Sequence, residues 1–403
     1  MPAASATGRE FRFAVVGGGG IGSAAAYWLS RHAGDGVVCL EQFELGHRMG
    51  ASEDHSRIIR LGYHSPAYTA LTRDAYAAWR VVEAESGVPL VHTTGMVNIA
   101  RPGTEGGEIL DAYVAAMSEH DIAHERLDAR ELMRRWPQFR VPEDHEALYQ
   151  PDGGILDIGM AGAAHIALAR ARGATVLQDT AVTSIRTLDD GVELTTSAGA
   201  IRAEKVVVCA GAWTPALLGR LGVDWPIRLT QEQVTYYATP NLADFAPDRF
   251  PIWLWHGEQE HYGFPVYGEP ATKAARDLGG PTVSLERRSW EPDERRVAEL
   301  TRFLDEILPG YTGPELYTRC CLYDMPPDRD FVVDLLPGHP RVAVCIGAGH
   351  AAKFAGLLGR ILCELAAEGA TRHPIEAFRA DRPALTDPAF APAYRLGGAA
   401  PVS

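Results

Sequence analysis

Three observations predict a mixed α/β fold, α+β overall, in which a parallel sheet is interleaved with an antiparallel one. An apolar strand, Phe13-Ala14-Val15-Val16, runs into Gly17-Gly18-Gly19-Gly20-Ile21-Gly22 and straight on into the helical Ser23-Ala24-Ala25-Ala26-Tyr27-Trp28-Leu29. A strand-glycine-helix signature returns at Val342-Ala343-Val344-Cys345-Ile346-Gly347-Ala348-Gly349-His350, before a helix expected from 353 to about 368. Between them, over 226–316, alternating strands such as Gln233-Val234-Thr235-Tyr236-Tyr237 and aromatic-rich turns read as antiparallel sheet.

The first loop is a Gly-x-Gly-x-x-Gly pattern, and its glycines have separate tasks. Gly17 makes the turn, Gly19 admits backbone close to a pyrophosphate, and Gly22 lets helix pack on strand. Phosphates then rest on the helix N-terminus. The next strand, Gly36-Val37-Val38-Cys39-Leu40, ends at Glu41, nineteen residues beyond Gly22, where a carboxylate accepts both ribose hydroxyls and repels a 2'-phosphate. The motif therefore indicates a dinucleotide, disfavours NADP and leaves FAD and NAD open.

After Glu41 the chain becomes loop-like but carries Arg48, Arg57 and Arg60. Arg48 reads as a solvated turn residue. Arg57 and Arg60 bracket Ile58-Ile59, whose burial holds them in place, and are candidates for an anion site. Helices are expected at 66–82, 107–120, 130–137 and 161–172, with strands at 94–99, 174–177 and 192–196. Residues 205–213 form a buried strand ending in a small-residue turn, Ala210-Gly211-Ala212, suited to a second pass beside the same cofactor. The proline- and alanine-rich tail after Arg379 reads as a surface wrap.

A chain of 403 residues exceeds one ordinary core. With 46% hydrophobic and 22% charged residues it has a globular composition, and its formal charge of -14 argues against nucleic acid or an anionic membrane as partner. The start, Met1-Pro2-Ala3-Ala4-Ser5-Ala6-Thr7-Gly8, has no signal pattern, and no apolar run is long enough to span a membrane, so a cytoplasmic protein is expected. Six cysteines without metal-ligand spacing read as reduced thiols, with Cys39, Cys209 and Cys345 in the core. The adjacent pair Cys320-Cys321 stands apart.

The residues taken together resemble the monomeric sarcosine oxidase and N-methyltryptophan oxidase family, within the D-amino-acid-oxidase-like flavin-dependent amine oxidases. The resemblance runs nearly end to end. It is carried by the first glycine loop with Glu41, by Ser56-Arg57-Ile58-Ile59-Arg60, by Cys209-Ala210-Gly211-Ala212-Trp213, by Tyr262-Gly263-Phe264-Pro265 with Lys273, by Cys321-Leu322-Tyr323, and by Gly347-Ala348-Gly349-His350-Ala351-Ala352-Lys353. It implies FAD as cofactor, joined covalently through Cys321. A Rossmann-like FAD-binding domain over 1–90, 146–225 and 319–403 is expected, with a substrate domain over 91–145 and 226–318.

The same resemblance implies that Arg60 and Lys353 hold a substrate carboxylate, that Arg57 lies against the flavin ring, and that Lys273 assists reaction with oxygen. Tyr262 joins them at the reacting end, while Gly20, Ile21, Ser52, Ser56, Val182, Gly211, Trp213, Gly347, Gly349 and His350 complete the cofactor contacts. His350 suits equally a hydrogen bond to its own loop. Cys320 should point away from Cys321, since neighbouring side chains of a strand alternate. Two positions depart from the sarcosine-oxidising pattern, with Asp277 and Glu53 where those members carry histidines. They are the candidates to meet an extra amine or hydroxyl on a larger substrate. The implied reaction takes a hydride equivalent from the C-H beside the nitrogen of a secondary amino acid or amine, giving an imine and, with oxygen, hydrogen peroxide. The resemblance implies a monomer and no metal. The rivals are a dehydrogenase serving a partner protein, an oxidase of a larger biosynthetic amine, an NAD-dependent enzyme supported only by the first loop, and a non-catalytic flavoprotein.

Overall fold

In a computed structural model that describes residues 8–393, the first strand spans Glu10–Val16 and lies between Val37–Leu40 and Gly199–Val208, parallel to both. Val16 sits beside Leu40 on one side and Val208 on the other, so the loops after all three strands open into one crevice. His339–Ile346 adds another parallel strand against Gly199–Val208, and Thr175–Leu177 extends the far side. With Val182–Thr187, Val192–Thr196 and Val332–Leu336 the sheet has eight strands. Its continuous apolar runs follow from burial on both faces. Val15, Cys39, Val207 and Ala343 enter one core, while Ala14, Val38, Val206 and Val344 enter the other.

Two glycines set the first turn. Gly17 has φ 98°, on the side that favours glycine, and a Cβ on Gly22 would lie 1.9 Å from the Gly17 carbonyl oxygen. The helix Gly20–Ala33 can therefore leave the strand at once.

The second sheet has nine strands, and Glu315–Met325 pairs along Arg228–Tyr237. It is mixed rather than purely antiparallel, because Ile252–His256 runs parallel to Met96–Ala100. The boundary expected at 146 falls at the start of Glu146–Gln150 and that expected at 319 lies inside Glu315–Met325, both paired strands of this sheet. A small three-stranded sheet joins Arg57–Ile59 to Gly154–Leu156 and Val91–Thr93.

Several helices begin where side chains cap them. Thr104, Asp128 and Asp157 accept from backbone N-H groups at the starts of Glu105–Glu119, Ala129–Arg135 and Ile158–Ala171, which moves these starts ahead of those expected from apolar spacing. The helix expected from 353 begins at Ala355, after a 3-10 turn over Ala351–Phe354. The tail is more than a surface wrap, since Ala380 and Leu385 are buried against the first sheet. Residues 1–7 and 394–403 lie outside the described residues, as do the readings made of them. Among the described residues no helix is long and apolar enough to cross a membrane.

Substituting Gly22→Val should destabilise the protein by about 2 kcal/mol or more, the scale of overpacking at a site that cannot relax. Urea unfolding measures this, and an unchanged midpoint contradicts the tight-turn geometry.

Candidate active site

One cavity of about 1580 Å³ runs from the first glycine loop to the second sheet. At one end the helix Gly20–Ala33 has no side-chain cap and no acid in its first turn, leaving its N-terminus to an anion. Ser52 Oγ accepts from the Gly20 N-H at 2.8 Å. Glu41 is buried, with one carboxylate oxygen accepting from the Gly18 N-H at 2.7 Å and the other from the Phe43 N-H at 3.0 Å. Burial works to raise the Glu41 pKa, but His47 and these N-H groups outweigh it and keep the group a carboxylate. Val182, Gly211 and Trp213 line the cavity nearby. This end suits the pyrophosphate and ribose of FAD.

The other end is delivered by strand register. Residues opposite one another in an antiparallel pair share a face, and every second residue along a strand does too. Lys273 pairs with Tyr236 and Phe264, Ala275 with Tyr262, Asp277 with Glu260, and Glu232 with Cys321. One face of the sheet thus carries Lys273, Tyr262, Asp277, Glu260 and Cys321 into the cavity. Cys320 also borders the cavity, but its thiol is directed to the Glu291 carbonyl at 3.6 Å. Burial pushes the Cys321 thiol up to about 12, against the pull of Arg57.

Lys273 is 3% exposed, and its Nζ lies 2.5 Å from Asp54 Oδ2, 2.8 Å from the Ser56 carbonyl and 3.0 Å from Ser56 Oγ. Burial, opposed by Asp54 and reinforced by Arg57, brings its ammonium down to about 8. Arg57 donates to Asp54 at 3.3 Å and to the carbonyls of Ala51, Glu53 and Ser56, clasping the loop from which Asp54 projects.

Two further cations meet across the cavity with no ion pair among the described residues. Arg60 stacks on Tyr63 at 4.3 Å and Tyr113 at 5.4 Å, and its Nε has no hydrogen-bond partner. Lys353 Nζ donates to the His350 carbonyl at 3.1 Å and lies 5.5 Å from the Tyr63 ring. Burial, and then Arg60, pull the Lys353 pKa well below its ordinary value. These are the conditions of a site made for an anion.

Most residues expected at the site line this cavity, and a few take other positions. Ser56 is behind the wall, turned to Lys273. Gly22 packs helix on strand. Cys209, expected in the core, is only half-buried and lines the cavity. His350 sits on the wall but binds its own loop, with Nδ1 2.9 Å from the Ala348 carbonyl and Nε2 3.2 Å from the Tyr68 hydroxyl. Asp277 and Glu53 both stand beside cations. Asp277 accepts from Arg329 at 2.7 Å, and Glu53 lies 3.0 Å from Arg319 and 3.3 Å from the otherwise solvated Arg48.

Three residues were missed by the sequence reading. Arg329 and Asp54 are close partners of residues it singled out, and Asp324 accepts from the N-H groups of Gly347 and Gly349, bracing the second glycine turn. Composition held one unused signal. The chain has three lysines, Lys205, Lys273 and Lys353, and two of them face the cavity.

A family described as FAD dependent oxidoreductase matches residues 12–365. Monomeric sarcosine oxidase of Streptomyces avermitilis is 34% identical over 90% of this chain and 95% of its own. N-methyl-L-tryptophan oxidase of Salmonella arizonae is 32% identical over 93% of this chain and 99% of its own. Among solved structures, NikD in an open form, described as an unusual amino acid oxidase essential for nikkomycin biosynthesis, superposes with a TM-score of 0.81 at 29% identity, over 92% of this chain and 97% of that one. The dinucleotide cradle, the uncompensated cations and these matches agree: the chain belongs to the FAD-dependent oxidoreductases, in the group of the monomeric sarcosine and N-methyltryptophan oxidases, and is a flavin-dependent amine oxidase.

Proposed function

We propose that this enzyme oxidises a secondary amino acid, N-methylated or cyclic and bulkier than sarcosine, to its imine, with oxygen reduced to hydrogen peroxide. The observation that carries this reading is the pair Arg60 and Lys353, two cations with no ion-pair partner among the described residues, facing the same cavity as Lys273. A guanidinium fork and an ammonium meeting from different directions bind a carboxylate and fix its orientation. Their charge also disfavours a protonated amine beside them, so the substrate nitrogen is held in the neutral form that can be oxidised. FAD, when bound, supplies the two-electron acceptor and the connection to oxygen. The amine gives up two electrons and two protons, and oxygen takes up both to become hydrogen peroxide.

Charge balance and wall chemistry support the substrate class. At the substrate end Arg60, Lys353 and Arg329 face Asp277 and Glu260, an excess of one positive charge that suits a monocarboxylate. Arg329 already engages Asp277, which weakens the attraction of that carboxylate for a cationic side chain on the substrate. Ile109, Tyr113, Trp255 and Tyr262 form an apolar and aromatic wall that a methyl group alone would leave unfilled. The likeness to N-methyl-L-tryptophan oxidase, named for a substrate larger than sarcosine, favours the same direction.

For the cofactor, Gly17, Gly19, Gly20, Ile21, Glu41 and Ser52 hold the adenosine and pyrophosphate end, and Cys321 carries the covalent bond to the flavin. Arg57 and Lys273 belong to the oxygen side. Arg60 and Lys353 belong to the substrate side.

A panel of N-methyl, cyclic and primary amino acids assayed for peroxide should show the highest kcat/KM for a bulky secondary amino acid; a preference for sarcosine over all of them contradicts the proposed class. Arg60→Ala should lower kcat/KM for carboxylate substrates roughly 10- to 150-fold, the worth of a hydrogen bond to a charged group, while amines lacking a carboxylate lose much less. Equal losses for both contradict the clamp. After acid precipitation the wild type and Cys320→Ser should keep yellow flavin in the pellet and Cys321→Ser should release it. Covalent flavin in Cys321→Ser contradicts the assignment.

A further inference from the structure

Asp54 is an acid that the proposed reaction leaves without a task. It stands in the loop before Arg57–Ile59 with φ 91°, a backbone conformation that L side chains rarely adopt and that surrounding contacts must hold. The contacts are specific. Its Oδ2 lies 2.5 Å from Lys273 Nζ and 3.3 Å from Arg57 Nη1, and its Oδ1 accepts from the Tyr236 hydroxyl and, at 2.8 Å, from the His55 N-H. Burial alone would raise the Asp54 pKa, but Lys273 and Arg57 outweigh it and hold the carboxyl well below the usual range.

The surroundings of Lys273 favour its charged form. Asp54 Oδ2, the Ser56 carbonyl and Ser56 Oγ, three acceptors, lie within 3.0 Å of the nitrogen. An ammonium can donate to all three at once, whereas a neutral amine can donate to only two and would have to turn the Ser56 hydroxyl into a donor, losing the charge-assisted contact with Asp54. The other groups facing it come from separate elements. Arg57 opposes its charge, the rings of Tyr236 at 5.6 Å and Phe264 at 4.5 Å flank it, and the Cys321 thiol approaches from the strand Glu315–Met325. Asp54 is the one carboxylate paired with it among the described residues.

We propose that Asp54 is the counter-ion that keeps Lys273 an ammonium beside the cavity, a positioning residue that sets the pH range over which that charge serves the reaction with oxygen. The inference rests on the reading of Lys273 as the oxygen-side lysine. Reduction of oxygen develops negative charge, which a fixed ammonium stabilises and a neutral amine does not. Without Asp54, burial and the neighbouring Arg57 both favour loss of the proton.

Because the chain has three lysines, holoenzyme labelled with carbon-13 at lysine Cε should give three resolvable NMR signals, with that of Lys273 assigned by its loss in Lys273→Met. In the wild type this signal should titrate near pH 8. In Asp54→Asn, which keeps the side-chain shape, the midpoint should fall by about one pH unit or more, the effect of losing a charge partner in contact. Asp54→Gly, which relieves the positive φ and so protects folding, should show the same fall. In each protein the second-order rate of reoxidation by oxygen, followed by stopped flow, should decline through the pH at which the Lys273 signal titrates. An unmoved midpoint in both Asp54 variants overturns the role of Asp54 and leaves the reading of Lys273 in place. A wild-type oxygen rate in Lys273→Met overturns that reading, whatever the titration shows.

Discussion

Placing several cations against one poorly hydrated cavity is an electrostatic problem, and the contact of Lys273 with Asp54 at 2.5 Å is where it is answered. Two like charges 4 Å apart repel by on the order of 4 kcal/mol at an effective dielectric near 20. Lys273 and Arg57 both bear on the carboxylate of Asp54, so one of their two charges is offset within the protein. Arg60 and Lys353 have no such partner among the described residues, and their offset must arrive with a ligand. Breaking a buried pair by removing one partner costs about 3–5 kcal/mol, because the remaining charge is left uncompensated. The arrangement therefore separates charges settled by the fold from charges reserved for substrate.

Strand geometry makes the arrangement possible. The pleat sends alternate residues to opposite faces, and the pairings of Thr272–Asp277 with Glu260–Phe264 and Arg228–Tyr237 align Lys273, Tyr262 and Asp277 on the cavity side. A slip of one residue would turn all of them into the opposite core. The first sheet supplies the complementary part through loops at the ends of parallel strands, where glycines allow backbone to approach a cofactor. The three-stranded sheet fixes Arg57 and, through it, the loop carrying Asp54.

Much of this was legible in the sequence. The strand-glycine-helix units were visible because their signals are local: a glycine at positive φ, a short apolar run, an acid at the end of the next strand. Cys321 and Lys273 were found through resemblance, and alternation correctly separated Cys320 from Cys321. What escaped depends on contacts between distant segments. Nothing local shows that Asp54 meets Lys273 or that Asp277 is claimed by Arg329, so Asp277 and Glu53 read as free acids when both have cationic partners. The parallel pairing of Ile252–His256 with Met96–Ala100 was hidden for the same reason, since periodicity gives a strand's faces but not its neighbour. The scarcity of lysine was legible in full and would have narrowed the candidates to Lys205, Lys273 and Lys353 without any relative.

The division between settled and reserved charge is tested most directly by a crystal structure of the flavin-loaded enzyme with pyrrole-2-carboxylate, a flat analogue of proline with no oxidisable C-H beside its nitrogen. The carboxylate should lie within hydrogen-bond distance of both Arg60 and Lys353, with Lys273 still paired to Asp54. A carboxylate bound at Lys273 or Arg57, with Arg60 and Lys353 unengaged, would contradict it.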